Sequence, residues 1–190
     1  MGNSDNAYVY NIPNLDESKV KNEYKIAFIG QSGSGTKTSL INRLSGEKFD
    51  ESQRSSNGVS YSNIKIKLGK KKIICLNLWD LPGNERYESL AKHYLGTSDC
   101  VVIGYDINDR KSYEKAINHW YPLIKNENKK CDLIYLIGNK MDLYKKDESI
   151  IEEAMDFAKS EKLGFYAISC KTDQGIGEFF DDLVNNIVYK

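Results

Sequence analysis

The chain lacks net charge: 27 Lys and Arg balance 27 Asp and Glu over 190 residues. A generic nucleic-acid binder carries a basic excess, so that class is set aside. Long apolar runs are also missing. The longest, Cys131–Gly138 and Cys100–Tyr105, fall far short of the roughly 20 residues that span a bilayer. There are only four cysteines (Cys75, Cys100, Cys131 and Cys170), with no C-x-x-C pair and no His/Cys cluster for zinc. Each lies in or beside an apolar stretch and reads as a buried structural thiol rather than a redox or metal group, which points to a reducing compartment. His93 and His119 are isolated and read as solvated or locally bonded. No internal repeat or low-complexity segment is found. Against these absences, 11% aromatic residues and distinct apolar runs exclude a disordered chain. The length suits one domain of roughly 150 residues plus tails, large enough for a core without staples.

Residues 1–22 show neither helical nor strand period and read as a flexible arm; residues 23–190 read as one domain. Short apolar runs follow at Tyr24–Ile29, Ile64–Leu68, Ile73–Trp79, Cys100–Tyr105, Leu133–Ile137 and Phe165–Ile168. Helix-period stretches lie between most of them, at Thr38–Leu44, Ser112–Lys125, Glu148–Lys162 and Ile176–Val188. Alternating strands and helices predict an α/β fold with a mostly parallel six-stranded sheet and helices on both faces. Ile64, Ile66 and Leu68 alternate with Lys65 and Lys67, as expected for a half-exposed strand near a sheet edge. Joined by Gly69–Lys72 to the next run, it predicts a hairpin and one antiparallel edge strand. Ligands of such sheets bind beyond the carboxyl ends of the strands, so the residues there were read for chemistry.

After the first run comes Gly30-Gln31-Ser32-Gly33-Ser34-Gly35-Thr36-Lys37-Thr38-Ser39. A glycine-rich turn entering a helix wraps N–H groups around phosphate oxygens, and a Lys at the helix start reaches the outer phosphates. The phosphate-loop pattern G-x-x-x-x-G-K-[ST] is missed by one residue. One register places Gly35 correctly but puts Thr36 where Lys belongs. The other places Lys37 and Thr38 correctly with a loop one residue longer, and the apolar face of Leu40, Ile41 and Leu44 behind Lys37 favours it. Asp80, after the run ending at Trp79, can hold a metal-bound water, and the N–H of Gly83 can meet a terminal phosphate. Asn139-Lys140-Met141-Asp142 follows the fifth run. A carboxylate at Asp142 can accept from the N1–H and exocyclic amine of guanine, which adenine does not offer. Lys140 can cover base and ribose, and Asn139 can brace the loop or read the base edge. Ser169-Cys170-Lys171, after the last run, can present a backbone N–H to the guanine oxygen.

With these motifs the chain resembles the Ras superfamily of small GTPases, and within it the Rab family, over roughly residues 24–189. Trp79–Tyr87 is similar to the Rab switch II segment W-D-T-A-G-Q-E-R-[FY], Tyr105-Asp106-Ile107 to Y-D-[IV], and Asn57–Tyr61 sits where Rabs carry I-G-V-[DE]-F. The resemblance implies a small G-domain binding GTP or GDP with Mg²⁺. It places Phe49, 12 residues after Lys37, edge-on to guanine, and Ser56, 19 after it, as a Mg²⁺ ligand with Thr38 and, through water, Asp80. It further implies effector, exchange-factor and GTPase-activating partners at the switch regions, and no nucleic acid. Gly33 to Ser39 become phosphate-loop contacts, with Lys37 and position 84 the catalytic ones.

Several departures carry expectations of their own. The family's water-orienting switch II Gln is Asn84, one methylene shorter, which predicts slow hydrolysis. Pro82 stiffens the same segment. The long loop, Asn84 and Pro82 together keep open a rival reading, a pseudo-GTPase interaction module with impaired switching. No Cys follows Cys170, where Rabs usually carry prenylated cysteines. Met1-Gly2-Asn3-Ser4-Asp5-Asn6 partly matches a myristoylation signal, with Asn6 where Ser or Thr is preferred. Gly2 is therefore read either as acylated, giving a cytoplasmic protein peripheral on endomembranes, or as an unmodified start.

Overall fold

The computed structural model describes residues 8–13, 15–52, 58–69, 72–144 and 150–190. Seven strands form one sheet: β1 (Tyr8–Tyr10), β2 (Glu23–Gly30), β3 (Ser60–Leu68), β4 (Lys72–Asp80), β5 (Cys100–Asp106), β6 (Ile134–Asn139) and β7 (Gly164–Ala167). Their order is β1-β3-β4-β2-β5-β6-β7, parallel from β4 through β7, with β3 antiparallel to β4.

The central strands carry continuous apolar stretches, such as Ile26–Ile29 of β2 and Cys100–Ile103 of β5, because both their faces are covered there. On β2, Ile26 and Phe28 face one core with Leu40 and Leu44 of α1 (Thr36–Leu44) and Phe179 and Leu183 of α6 (Ile176–Ile187). Ala27 and Ile29, one residue out of phase, face the other. That second core takes Ala91 and Leu95 of α2 (Glu88–Leu95) and Ala154 of α5 (Ile150–Glu161). It also takes Trp120, in a π-turn over Ala116–Trp120 that joins α3 (Arg110–Lys115) to α4 (Tyr121–Glu127). α2 is an element the sequence periodicity does not show, since only Ala91 and Leu95 of its eight residues are buried.

The expected hairpin is β3–β4, with Ile64, Ile66 and Leu68 buried and Lys65 and Lys67 exposed. The strand count rises from six to seven because part of the residue 1–22 segment is ordered. β1 runs parallel to β3, pairing Tyr8 with Ile66 and Tyr10 with Leu68. Tyr8 meets Phe180 edge to face at 4.9 Å and donates to Leu44 O, and Tyr10 donates to Asp181 Oδ1 at 2.7 Å. Val20 is buried in the first core. Among the described residues no helix is long and apolar enough to cross a membrane.

Candidate functional site

β2, β4, β5 and β6 deliver Gly30, Asp80, Asp106 and Asn139 to the same edge of the sheet. The loop after β2 turns into α1 through Gly35, whose left-handed φ of 70° suits glycine and starts the helix at Thr36. Lys37, not Thr36, turns back into the loop: its Nζ lies 3.1 Å from Gly30 O and 3.3 Å from Gln31 O. Thr36 points the other way, into the sheet, where its hydroxyl donates to Tyr105 O at 3.1 Å. Space for it exists because position 104 is glycine; a Cβ there would stand 2.7 Å from Thr36 Cγ2. The extra loop residue is thus absorbed by β5, and the loop amides, the helix N-terminus and a buried Lys37 remain gathered as a positive cradle.

Behind the cradle, Asp80 Oδ2 accepts the Thr38 hydroxyl, while Oδ1 is buried without a hydrogen-bond partner among the described residues. Burial raises the Asp80 carboxyl above its usual range, against the lowering effects of Thr38 and Lys37; burial lowers the Lys37 ammonium, which Asp80 opposes. An orphaned buried carboxylate oxygen beside a hydroxyl fits a hard cation. The described residues hold no cluster of three His, Cys, Asp or Glu, so a cation would rest on hydroxyl, water and ligand oxygens. Gly83 closes over the loop: Ser32 N donates to Gly83 O at 3.3 Å, and a Cβ on Gly83 would fall 1.9 Å from Gly30 O. Asn84 is exposed, and its Oδ1 accepts from Arg86 N at 3.0 Å, capping the short helical turn Glu85–Tyr87. It borders an open hollow with Gln31, Ser32, Lys111 and Lys115.

A second cleft, of about 300 Å³, is lined by Gly33, Gly35, Ser39, Phe49, Asn139, Lys140, Asp142 and Lys171. The loops after β6 and β7 that line it brace one another. Cys170 N donates to Asn139 Oδ1 at 2.9 Å, and the Ser169 hydroxyl to Asp142 Oδ1 at 2.5 Å. Lys140 adopts a left-handed φ of 74° and sends its ammonium to Asp106 Oδ2 at 2.6 Å, leaving its methylenes along the cleft. Cys170 is buried and its thiol is pushed up to about 12 by burial, so it braces rather than reacts. Ser34 turns away, donating to Gln31 O. Ser56 and Gly2 lie outside the described residues.

The structure thus brings the loop after β2, Phe49 and the loops after β6 and β7 to one cleft; Gly83 and Asn84 border the separate hollow, and Thr38 and Asp80 pair with each other behind the loop. Sequence reasoning missed three contributors. Asp106 holds Lys140, Gly104 houses Thr36, and Glu51 reaches the cleft rim. The first two signals were present, as an acid and a glycine in a strand that ends beside the site.

Known proteins bear on the geometry. A family model described as Ras family matches residues 25–189. Ras-related protein RabC of Dictyostelium discoideum is 32% identical over 166 residues, 86% of this chain and 83% of that protein. GTP-binding protein YPT52 of Saccharomyces cerevisiae is 31% identical over 189 residues, 85% of this chain and 80% of that one. Ras-related protein Rab-21 of Geodia cydonium is 32% identical over 164 residues, 86% and 70%.

Proposed function

The chain belongs to the Ras family of small GTPases, on its Rab branch, and from that we infer a guanine-nucleotide switch acting in membrane trafficking, with a slow hydrolytic step. The observation that carries the reading is the shared cleft. Gly33, Gly35 and Ser39, from the loop into which Lys37 turns, stand at one end, with Asn139, Lys140 and Asp142 at the other.

In this reading Gly33 to Ser39 wrap the phosphates and Lys37 neutralises their outer charge. Asp142 accepts from guanine, and adenine would leave that carboxylate unpaired, so discrimination is large. Phe49 meets the base edge, and the loop 169–171, with Ser169, Cys170 and Lys171, closes behind it. Thr38, Asp80 through water, and Ser56 would hold Mg²⁺, which when bound screens the phosphate charge. Gly83 offers its amide to a terminal phosphate, so switch II reports which nucleotide is bound. The switches would then present a nucleotide-dependent face to effector, exchange-factor and activating proteins. Membrane attachment through an acylated Gly2 completes the proposal; a single myristoyl chain holds only marginally, so a second contact is required.

Asn84 supports the slow step. Its carboxamide is one methylene short of the family's Gln and is turned onto Arg86 N. Misplacing a reacting group by about 1 Å costs on the order of 10²-fold. An arginine supplied by a partner would restore part of the rate. Single-turnover hydrolysis of preloaded GTP tests this. Asn84→Gln is expected to hydrolyse at least about tenfold faster than the wild type, and equal rates remove Asn84 as the cause. The rival, a module without nucleotide switching, gains no support from relatives named as Ras-related and GTP-binding proteins.

A further inference from the structure

Glu51, two residues beyond Phe49, reaches across the rim of the cleft to Lys171, carboxylate oxygen to ammonium at 2.5 Å. Both residues line the cleft that also exposes Asn139, Lys140 and Asp142. A second tie runs parallel to the first. Arg43, near the end of α1, pairs with Asp173 at 2.6 Å and donates to Glu47 O at 3.2 Å. Asp173 lies two residues beyond Lys171, in a left-handed conformation at φ 70°. The segment 47–51, which carries Phe49, is therefore fastened to the loop 169–173 at its start through Arg43 and at its end through Lys171. Neither tie touches Thr38, Asp80 or Gly83, the groups placed around the terminal phosphate.

We propose that the Glu51–Lys171 pair, backed by the Arg43 bridge, is a clasp over the guanosine end of the cleft that slows release of GDP and GTP alike. The inference rests on the reading of the cleft as a guanine-nucleotide site. A base bound against Asp142 and Phe49 is confined by the segment that carries Phe49. Separating that segment from the loop after β7 requires breaking the pair. Because the clasp sits at the base end, its effect is indifferent to the γ-phosphate. Because both partners are half or more exposed, at 51% and 71% of their side chains, the effect is modest and weakens as salt rises.

The experiment is a displacement assay. The protein is loaded with a fluorescently labelled GDP, or with a labelled non-hydrolysable GTP analogue, and chased with excess unlabelled nucleotide. Glu51→Gln is expected to release both labels about two- to fivefold faster than the wild type, the range of an exposed pair. Wild-type release should quicken between about 50 mM and about 500 mM salt, while Glu51→Gln changes little. Asp173→Asn should act in the same direction, and the charge-reversed Glu51→Lys/Lys171→Glu variant should release more slowly than Glu51→Gln. Unchanged release in Glu51→Gln, or acceleration of the triphosphate alone, overturns the clasp. Failure of the wild type to take up either label overturns the guanine-nucleotide reading itself, and the clasp with it.

Discussion

Asp80 carries an electrostatic conflict: a carboxyl group in a buried position, with Oδ1 unmet by any described residue. Its raised pKa fixes a sign. The native state holds the proton at pH values where the unfolded chain, near 3.8, has released it, so stability falls as pH rises above the ordinary aspartate range. In nucleotide-free protein, Asp80→Asn should therefore flatten that decline in urea titrations across pH. At neutral pH it should raise the free energy of urea unfolding, because the neutral amide carries no buried charge to desolvate. With Mg²⁺ and GDP present the order should reverse, because the wild-type carboxylate then has its charge answered. Much at this scale was legible. Two registers of the loop are open in the sequence, and the apolar helical face of Leu40, Ile41 and Leu44 points to the one in which Lys37 turns inward. Glu51 was not legible, since a surface acid two residues past an aromatic has no local signature until the chain brings Lys171 to it.

Elements were read from periodicity, and they failed where periodicity is short. Buried strands β2, β5 and β6 announce themselves as continuous apolar runs, and β3 by its alternation. β1 has only Tyr8, Val9 and Tyr10, too few residues to show a period, and it is fixed by tertiary contacts instead. Its anchor is the Tyr10 hydroxyl on Asp181; burial, and after it this bond, raise the tyrosine's pKa. Tyr10→Phe keeps the ring and removes that bond, so it should lower the free energy of urea unfolding by about 1 kcal/mol. No loss would mean that the Tyr10–Asp181 bond adds nothing to the domain's stability. The π-turn at Ala116–Trp120 likewise has no sequence signal; it accompanies the placement of Trp120 wholly within the second core.

At the scale of the whole molecule, alternating strands and helices were enough to forecast a mostly parallel sheet covered on both faces, and hence a site at the carboxyl ends of its strands. The topology explains how motifs as far apart as Gly30 and Lys171 converge: each follows a different strand, and the strands end together. The balanced charge of the chain also acquires a local meaning. Lys140 and Lys171 line the cleft, paired with Asp106 and Glu51, while Lys37 is turned into the adjoining loop with Asp80 opposing the loss of its charge. Such a cleft suits an anion that is both highly charged and specifically shaped. Chromatographic analysis of the nucleotide released on denaturing the freshly purified protein tests this most directly. The predicted result is close to one GDP or GTP per chain with little adenine nucleotide. A nucleotide-free protein that also fails to take up GDP or GTP with Mg²⁺ would contradict it.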